Sequence, residues 1–124
     1  MRQKYVIAGS GATGGSIGAF LAQAGQDVTF LARGTQLAAF REKGITMKGT
    51  AKGDFRVFPI KAMTMEEYTE TPDVIFVCVK DYSLEDAIAL ADRVGDEDTV
   101  VIPILNIYGT GERMQRALPR MTVT

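Results

Sequence analysis

The residues best suited to chemistry lie near the start of the chain, where glycines follow a short apolar run. Gly9, Gly11 and Gly14 match the spacing G-x-G-x-x-G in GSGATG. The run Tyr5–Ala8 precedes them as a predicted strand, and a helical pattern over Ala12–Ala24 opens within them. In that context the free amides at the helix N-terminus can hold a pyrophosphate, so we interpret the loop as a dinucleotide site. The alternative is a purely structural turn between strand and helix.

Each glycine of the loop has a distinct expected role. Gly9 would allow a tight turn, Gly11 would let a pyrophosphate approach the main chain, and Gly14 would let the helix pack close to the strand. The predicted cofactor-binding residues of the loop are Gly9, Ser10, Gly11, Ala12, Thr13 and Gly14.

The end of the second apolar run distinguishes between dinucleotides. NAD sites commonly place Asp or Glu about 20 residues beyond the glycines, to bind the ribose 2′-hydroxyl. Here Arg33 occupies that place in FLARGTQ, and the next acidic residue is Glu42. An arginine suits a 2′-phosphate through charge-assisted hydrogen bonds, so we predict NADP(H), with Thr35 as an added hydroxyl contact. The alternative is that Arg33 is an ordinary solvated surface residue.

Polar residues also follow two later apolar runs. Lys80 ends VIFVCVK, and Asn106 ends VVIPILN. Because ligands of open α/β sheets bind outside the carboxyl ends of the strands, both are candidates for cofactor and substrate binding. Lys80 could bring a positive charge to a phosphate or a substrate carboxylate, and Asn106 could hydrogen-bond the nicotinamide ribose or the substrate. The alternatives are a surface lysine and a turn residue that bonds its own backbone.

The elements that would position these residues alternate along the chain. Continuous apolar runs predict strands buried on both faces, and amphipathic patterns predict helices between them. The predicted strands are Tyr5–Ala8, Val28–Ala32, Val74–Val79 and Val100–Leu105, and the predicted helices are Ala12–Ala24, Gln36–Lys43, Ser83–Val94 and Thr110–Leu118. This order predicts an α/β fold with a doubly wound, mainly parallel Rossmann-type sheet and helices on both faces.

Three further features of the pattern lead to specific expectations. The first helix is predicted to have one apolar stripe, formed by Ile17, Phe20, Leu21 and Ala24. Ile45–Met63 predicts a hairpin-like insertion. The closing MTVT resembles a strand that has just begun, so residues 1–124, the predicted NADP(H)-binding domain, are expected to be a fragment of a longer protein.

Composition excludes several classes of function. The net charge of −1 does not favour a nucleic-acid partner, and no apolar run approaches the roughly 20 residues that span a bilayer. The chain has no histidine and a single cysteine, Cys78, so we expect neither a metal site nor an internal disulfide. Cysteine usage favours a reducing, cytoplasmic setting. Cys78 lies in an apolar run and is predicted to be an inert core residue.

Together these residues resemble the ketopantoate reductase (2-dehydropantoate 2-reductase) family. The similarity is carried by GSGATGGSIGAFLAQAGQDVTFLARG, VCVKDYSLEDA and VVIPILN, and it runs from about Lys4 to the end of the chain. It implies an N-terminal Rossmann domain that binds NADPH and a helical C-terminal domain, and reduction of ketopantoate to pantoate on the way to pantothenate and coenzyme A. By motif match, the glycines would bind the pyrophosphate, Arg33 the 2′-phosphate, and Lys80 and Asn106 would line the cleft.

The resemblance also implies what this chain lacks. The family's catalytic lysine and its substrate-binding polar residues belong to the helical C-terminal domain, so we expect no catalytic residue here. One residue departs from the family pattern, since Ile107 follows Asn106 where a glycine is common. The alternatives are therefore an NADP-dependent dehydrogenase of a related 2-oxo or 3-hydroxy acid, and a non-catalytic nucleotide-sensing module. The oligomeric state stays open, with a homodimer at full length as one arrangement.

Overall fold

The alternating pattern of the sequence corresponds to alternating strands and helices in space. The computed structural model describes residues 3–9, 12–51, 53–79, 84–104 and 110–124. Within these ranges the strands are β1 (Lys4–Ala8), β2 (Asp27–Leu31), β3 (Ile45–Thr50), β4 (Gly53–Val57), β5 (Lys61–Met63), β6 (Val74–Val77), β7 (Val100–Pro103) and β8 (Thr122–Val123). The helices are α1 (Ala12–Gln23), α2 (Gly34–Lys43), α3 (Leu84–Val94) and α4 (Thr110–Ala117).

The main sheet is doubly wound. Its strand order is β5-β2-β1-β6-β7-β8, and each neighbouring pair is parallel. The chain moves outward from β1 through β2 to β5, then returns to the other side of β1 and moves outward again. This reversal between β1 and β6 is the point at which ligands of such sheets bind. The predicted Rossmann-type fold is confirmed.

The sheet is covered on both faces, as its continuous apolar strands predict. Side chains alternate along each strand, so Val6 and Val77 face a core that includes α3 and α4. Ile7 and Phe30 face the opposite core, which includes α1 and α2. Among the described residues, no helix is both long and apolar enough to span a bilayer.

The segment after α2 divides into two parts. Strands β3 and β4 form an antiparallel hairpin, which is separate from the main sheet and packs on α1 through a contact between the rings of Phe55 and Phe20. The hairpin prediction is therefore right for these residues. It is wrong for Lys61–Met63, which pairs in parallel with β2 as the edge of the main sheet. This strand has three residues, of which Ala62 alone is buried, so it has no readable periodicity.

The predicted apolar stripe of α1 is right for Ile17 and Leu21, which are partly buried against the core on this face of the sheet, and wrong for Phe20 and Ala24. Phe20 is 38% exposed and Ala24 is also exposed, whereas Gly14, Gly18 and Ala19 are buried. A Cβ on Gly18 would overlap the ring of Phe30, lying 2.6 Å from its Cζ. The helix axis is thus too close to the sheet for large side chains, which lie at its flanks and on the hairpin side instead.

The end of the chain forms the strand that MTVT predicts. Thr122–Val123 pairs in parallel with β7. Its outward-facing amide is satisfied, because the N–H of Val123 donates to Oε1 of Gln115 at 3.0 Å. The same Gln115 side chain donates from Nε2 to the carbonyl of Met121, at 2.8 Å. This side chain holds the edge strand against α4.

The close contact between α1 and the sheet leads to a matched pair of substitutions. We expect Gly18→Ala to destabilise the fold by about 1–2 kcal/mol, because the overlap with Phe30 outweighs the better helix propensity of alanine. Gly15→Ala, whose Cβ would meet nothing within 4 Å, is expected to stabilise it by up to about 1 kcal/mol. Urea unfolding followed by circular dichroism measures both. Equal effects for the two variants would contradict the packing described here.

Candidate functional site

The carboxyl ends of four parallel strands meet at one edge of the sheet. Ala8 lies opposite both Leu31 and Val77, and Val77 lies opposite Pro103. The backbone hydrogen bonds between neighbouring strands continue for one residue past the ends of β1 and β6. The amide of Gly9 donates to the carbonyl of Leu31 at 3.1 Å, and the amide of Cys78 donates to the carbonyl of Ala8 at 2.8 Å. The residues that follow these strands are therefore adjacent at a single edge.

Gly9 makes the turn that leaves β1. Its φ of +82° lies in the region that favours glycine. A Cβ there would lie 2.5 Å from Cγ1 of Val79 and 2.9 Å from the backbone nitrogen of Val79. Conformation and space therefore both require glycine, and the segment after β6 forms the wall against which the turn packs. Here β6 ends at Val77, two residues short of the predicted Val79, where its paired register with β1 ends at Ala8.

Gly14 brings the first turn of α1 against that wall. A Cβ on Gly14 would lie 2.8 Å from the carbonyl oxygen of Gly9 and 3.0 Å from Cβ of Cys78. The close packing expected of the third glycine is thus present. Ala12 and Thr13 begin α1, whereas Ser10 and Gly11 lie outside the described residues. The binding of a cofactor by these residues stays a prediction.

The two helices that begin beside β1 and β2 have N-termini suited to an anion. Neither α1 nor α2 has an acidic residue in its first turn. By contrast, the first turn of α3 contains Glu85 and Asp86, and that of α4 contains Glu112. A carboxylate in the first turn would offset the positive end of the helix dipole, so α1 and α2 keep theirs available for a bound anion.

Arg33 is located where β2 gives way to α2. It occupies the N-cap position with extended backbone angles, φ −151° and ψ 166°, and its side chain makes no capping hydrogen bond. Arg33 is exposed, as is Thr35 in the first turn of the helix, and none of the ion pairs among the described residues includes Arg33. Arg33 thus lies at the N-terminus of α2, just past the end of β2, the strand that pairs with β1.

The remaining predicted site residues follow β6 and β7 but are not described. Lys80, Asn106 and Ile107 all lie outside the described residues. The nearest described residue before Asn106 is Ile104, whose amide donates to Val77 at 2.7 Å. The predictions for Lys80 and Asn106 therefore rest on the sequence alone. Among the described residues, no group of three or more Cys, Asp or Glu side chains could hold a metal ion.

The sequence did not predict which residues pack against the glycine turn. Val79 and Cys78 form its wall, and Gly18 continues the close contact one turn along α1. The spacing of Gly14 and Gly18, four residues apart on one helix face, was the available signal for the last of these. The two wall residues had no such signal, because an apolar strand does not reveal which residue faces a loop.

Known proteins are similar in sequence to this chain over nearly its whole length. The family model for ketopantoate reductase PanE/ApbA matches residues 5–124. The chain belongs to the ketopantoate reductase family. The 2-dehydropantoate 2-reductase of Aquifex aeolicus is 32% identical over 114 residues, which cover 91% of this chain and 34% of that protein. The chain spans about a third of the length of the curated relatives it matches.

Solved structures of ketopantoate reductases have the same fold. The 2-dehydropantoate 2-reductase of Porphyromonas gingivalis superposes with a TM-score of 0.81 at 33% identity, over 99% of this chain and 45% of that one. The PanE/ApbA family ketopantoate reductase of Ralstonia eutropha superposes with a TM-score of 0.83 at 25% identity, over 97% of this chain and 39% of that one. The family named from sequence resemblance is thus confirmed, and with it a relationship to oxidoreductases.

The half-buried Cys78 beneath Gly14 is expected to react slowly. Burial raises the pKa of its thiol to about 11, so at pH 8 the thiolate fraction is roughly a hundredfold below that of a free cysteine. We expect slow reaction with a disulfide reagent in buffer and fast reaction in denaturant. Cys78 is the chain's single cysteine, so the absorbance of the released thiol reports on it alone. Reaction of the folded protein at the rate of a free thiol would contradict the described burial.

Proposed function

We propose that this chain is the NADP(H)-binding domain of an NADPH-dependent reductase that converts ketopantoate to pantoate, in the biosynthesis of pantothenate and coenzyme A. Family membership and the names of the relatives support the reaction. The observation that carries the cofactor proposal is the placement of a sterically required glycine turn and a solvent-facing Arg33 at adjacent strand ends.

The proposed pyrophosphate site is the turn from β1 into α1. The first amides of a helix lack backbone partners and carry the positive end of its dipole, so they suit a diphosphate. Gly9 and Gly14 draw this helix start close to the strand ends, and no acidic side chain of its first turn opposes the anion. Ser10, Gly11, Ala12 and Thr13 complete the proposed loop.

Arg33 is the residue proposed to select NADP(H) over NAD(H). Among the described residues it has no carboxylate partner, so no ion pair in that part of the chain competes with a 2′-phosphate for its guanidinium. A guanidinium can bind phosphate oxygens through two parallel hydrogen bonds. Thr35 and the N-terminus of α2 lie beside it and would add donors to the same phosphate.

The proposed reaction needs groups from two domains. Bound NADPH supplies a hydride to the ketone carbon, and the carbonyl oxygen takes a proton from a general acid. Lys80 and Asn106 follow the third and fourth apolar runs of the sequence. Lys80 would bind the substrate carboxylate, and Asn106 would hydrogen-bond the nicotinamide ribose or the substrate. We place the general acid in a helical domain outside residues 1–124, so this chain has no proposed catalytic residue. For the whole enzyme we propose a cytoplasmic location, and a homodimer stays a prediction.

The first test is a titration of the purified protein with NADPH and NADH by calorimetry. We expect NADPH to bind more tightly, and Arg33→Ala to weaken NADPH binding by about tenfold or more while leaving NADH nearly unchanged, since only NADPH carries the 2′-phosphate. Arg116→Ala is the matched control, because Arg116 is an exposed arginine in the last turn of α4. Equal affinities for the two cofactors, or a preference for NADH, would overturn the assignment.

The second test concerns the division of labour between domains. We expect the 124-residue chain to bind NADPH and to show no steady-state reduction of ketopantoate, because the general acid is proposed to lie elsewhere. NADPH absorbance at saturating ketopantoate measures this directly. Steady turnover by the chain itself would place the acid within it and refute that part of the proposal.

One residue favours a second candidate substrate. Ile107 follows Asn106 where the family commonly has glycine, and a β-branched side chain adds bulk and restricts the backbone beside the proposed cleft. The alternative is therefore reduction of another 2-oxo acid with the same cofactor. A panel of 2-oxo acids offered to the full-length enzyme separates the two candidates, because the higher kcat/KM identifies the substrate.

A further inference from the structure

The short edge strand β5 accepts hydrogen bonds from residues that precede and follow Arg33 in the sequence. Successive carbonyls of a strand point in opposite directions. Met63 accepts a hydrogen bond from the amide of Ala32 at 3.0 Å, directly before Arg33. Ala62 accepts one from Nε of Arg41, in the helix that Arg33 caps, at 3.1 Å. Two neighbouring carbonyls therefore fix the strand end before Arg33 and the helix after it.

The carboxylate of Glu67 connects Arg41 to the segment that follows β5. Oε1 of Glu67 lies 3.4 Å from Nη2 of Arg41 and also accepts the amide of Thr64 at 2.9 Å. The amide of Glu67 in turn donates to Oγ1 of Thr64 at 3.2 Å. The backbone amide and hydroxyl of Thr64, with Arg41, lower the pKa of Glu67, so the group is charged at neutral pH. We call Arg41, Glu67 and Thr64 the β5 clamp.

The helix α2 has few apolar contacts that could fix its direction. Leu37 is its buried residue, and Phe40 is partly buried, with its ring 5.6 Å from that of Phe30. A helix of ten residues whose apolar contacts are mainly these two side chains can tilt about them. The bond from Arg41 to Ala62 lies two turns from Arg33 and opposes such tilting. The clamp therefore acts on where the N-terminus of α2 points.

We propose that the β5 clamp positions Arg33 and the N-terminus of α2 for a 2′-phosphate, which makes Arg41 and Glu67 positioning residues for cofactor specificity. This inference rests on the proposed function, and it names residues that need not touch the cofactor. Because the clamp is half-exposed and its ion pair is screened by solvent, the expected effect is modest.

The test uses charge changes of opposite sign. Arg41→Gln and Glu67→Gln are each expected to weaken NADPH binding about three- to fivefold, with NADH binding unchanged within error. If the clamp acted through charge alone, Glu67→Gln would remove a negative charge and strengthen NADPH binding. If it served stability alone, both variants would lower the melting temperature and weaken NADPH and NADH equally. A loss confined to NADPH in both variants supports positioning.

Arg120→Gln is the matched control. Nη2 of Arg120 donates to the carbonyl of Asp92 at 3.2 Å and lies 3.5 Å from its carboxylate, so it has the same kinds of contact on the far side of the sheet. It is expected to leave both affinities unchanged. Wild-type protein that prefers NADPH, with Glu67→Gln that binds NADPH as tightly or more tightly, would overturn the clamp alone. Wild-type protein without any preference for NADPH would overturn the proposed function and the clamp together.

Discussion

The contact between the first turn of α1 and the ends of β1 and β6 is the constraint on which the rest of the structure depends. Gly14 meets the carbonyl of Gly9 and the side chain of Cys78, and Gly9 meets Val79, at distances that leave no room for a Cβ. The same closeness continues along the helix at Gly18. It places the positive end of a helix dipole at the switch point of the sheet, and it forces the larger apolar side chains of α1 outward, where the hairpin partly covers them.

The parallel order of the sheet makes this local contact part of a candidate site. Since β1 and β2 are in register, the residues after them lie side by side, and the glycine turn becomes a neighbour of Arg33. Residues that are far apart in the sequence therefore lie together at the carboxyl ends of the strands. The outer strand β5 has none of the proposed cofactor residues, yet its two carbonyls connect the end of β2 to α2.

The sequence was informative where local pattern and packing agree. The apolar runs around Ile7 and Val77 predicted strands buried on both faces, and the glycine spacing predicted the turn at Gly9. It failed where tertiary distance overrides pattern: Phe20 belongs to a helical stripe, but the helix lies too close to the sheet to bury it there. It also failed at Lys61–Met63, because an edge strand of three residues leaves no periodic signal. The clamp between Arg41 and Glu67 could not be found without that strand, since their pairing depends on where it lies.

Arg33, held beside the glycine turn, is proposed to recognise a 2′-phosphate. The most direct measurement is the NMR signal of its side-chain Nε–H during titration with adenosine 2′,5′-bisphosphate and, separately, with adenosine 5′-diphosphate. Such recognition predicts that backbone amides at the start of α1 shift with both ligands, whereas the Arg33 side chain shifts with the 2′,5′-bisphosphate alone. An Arg33 signal that responds equally to both ligands, or to neither, would contradict it.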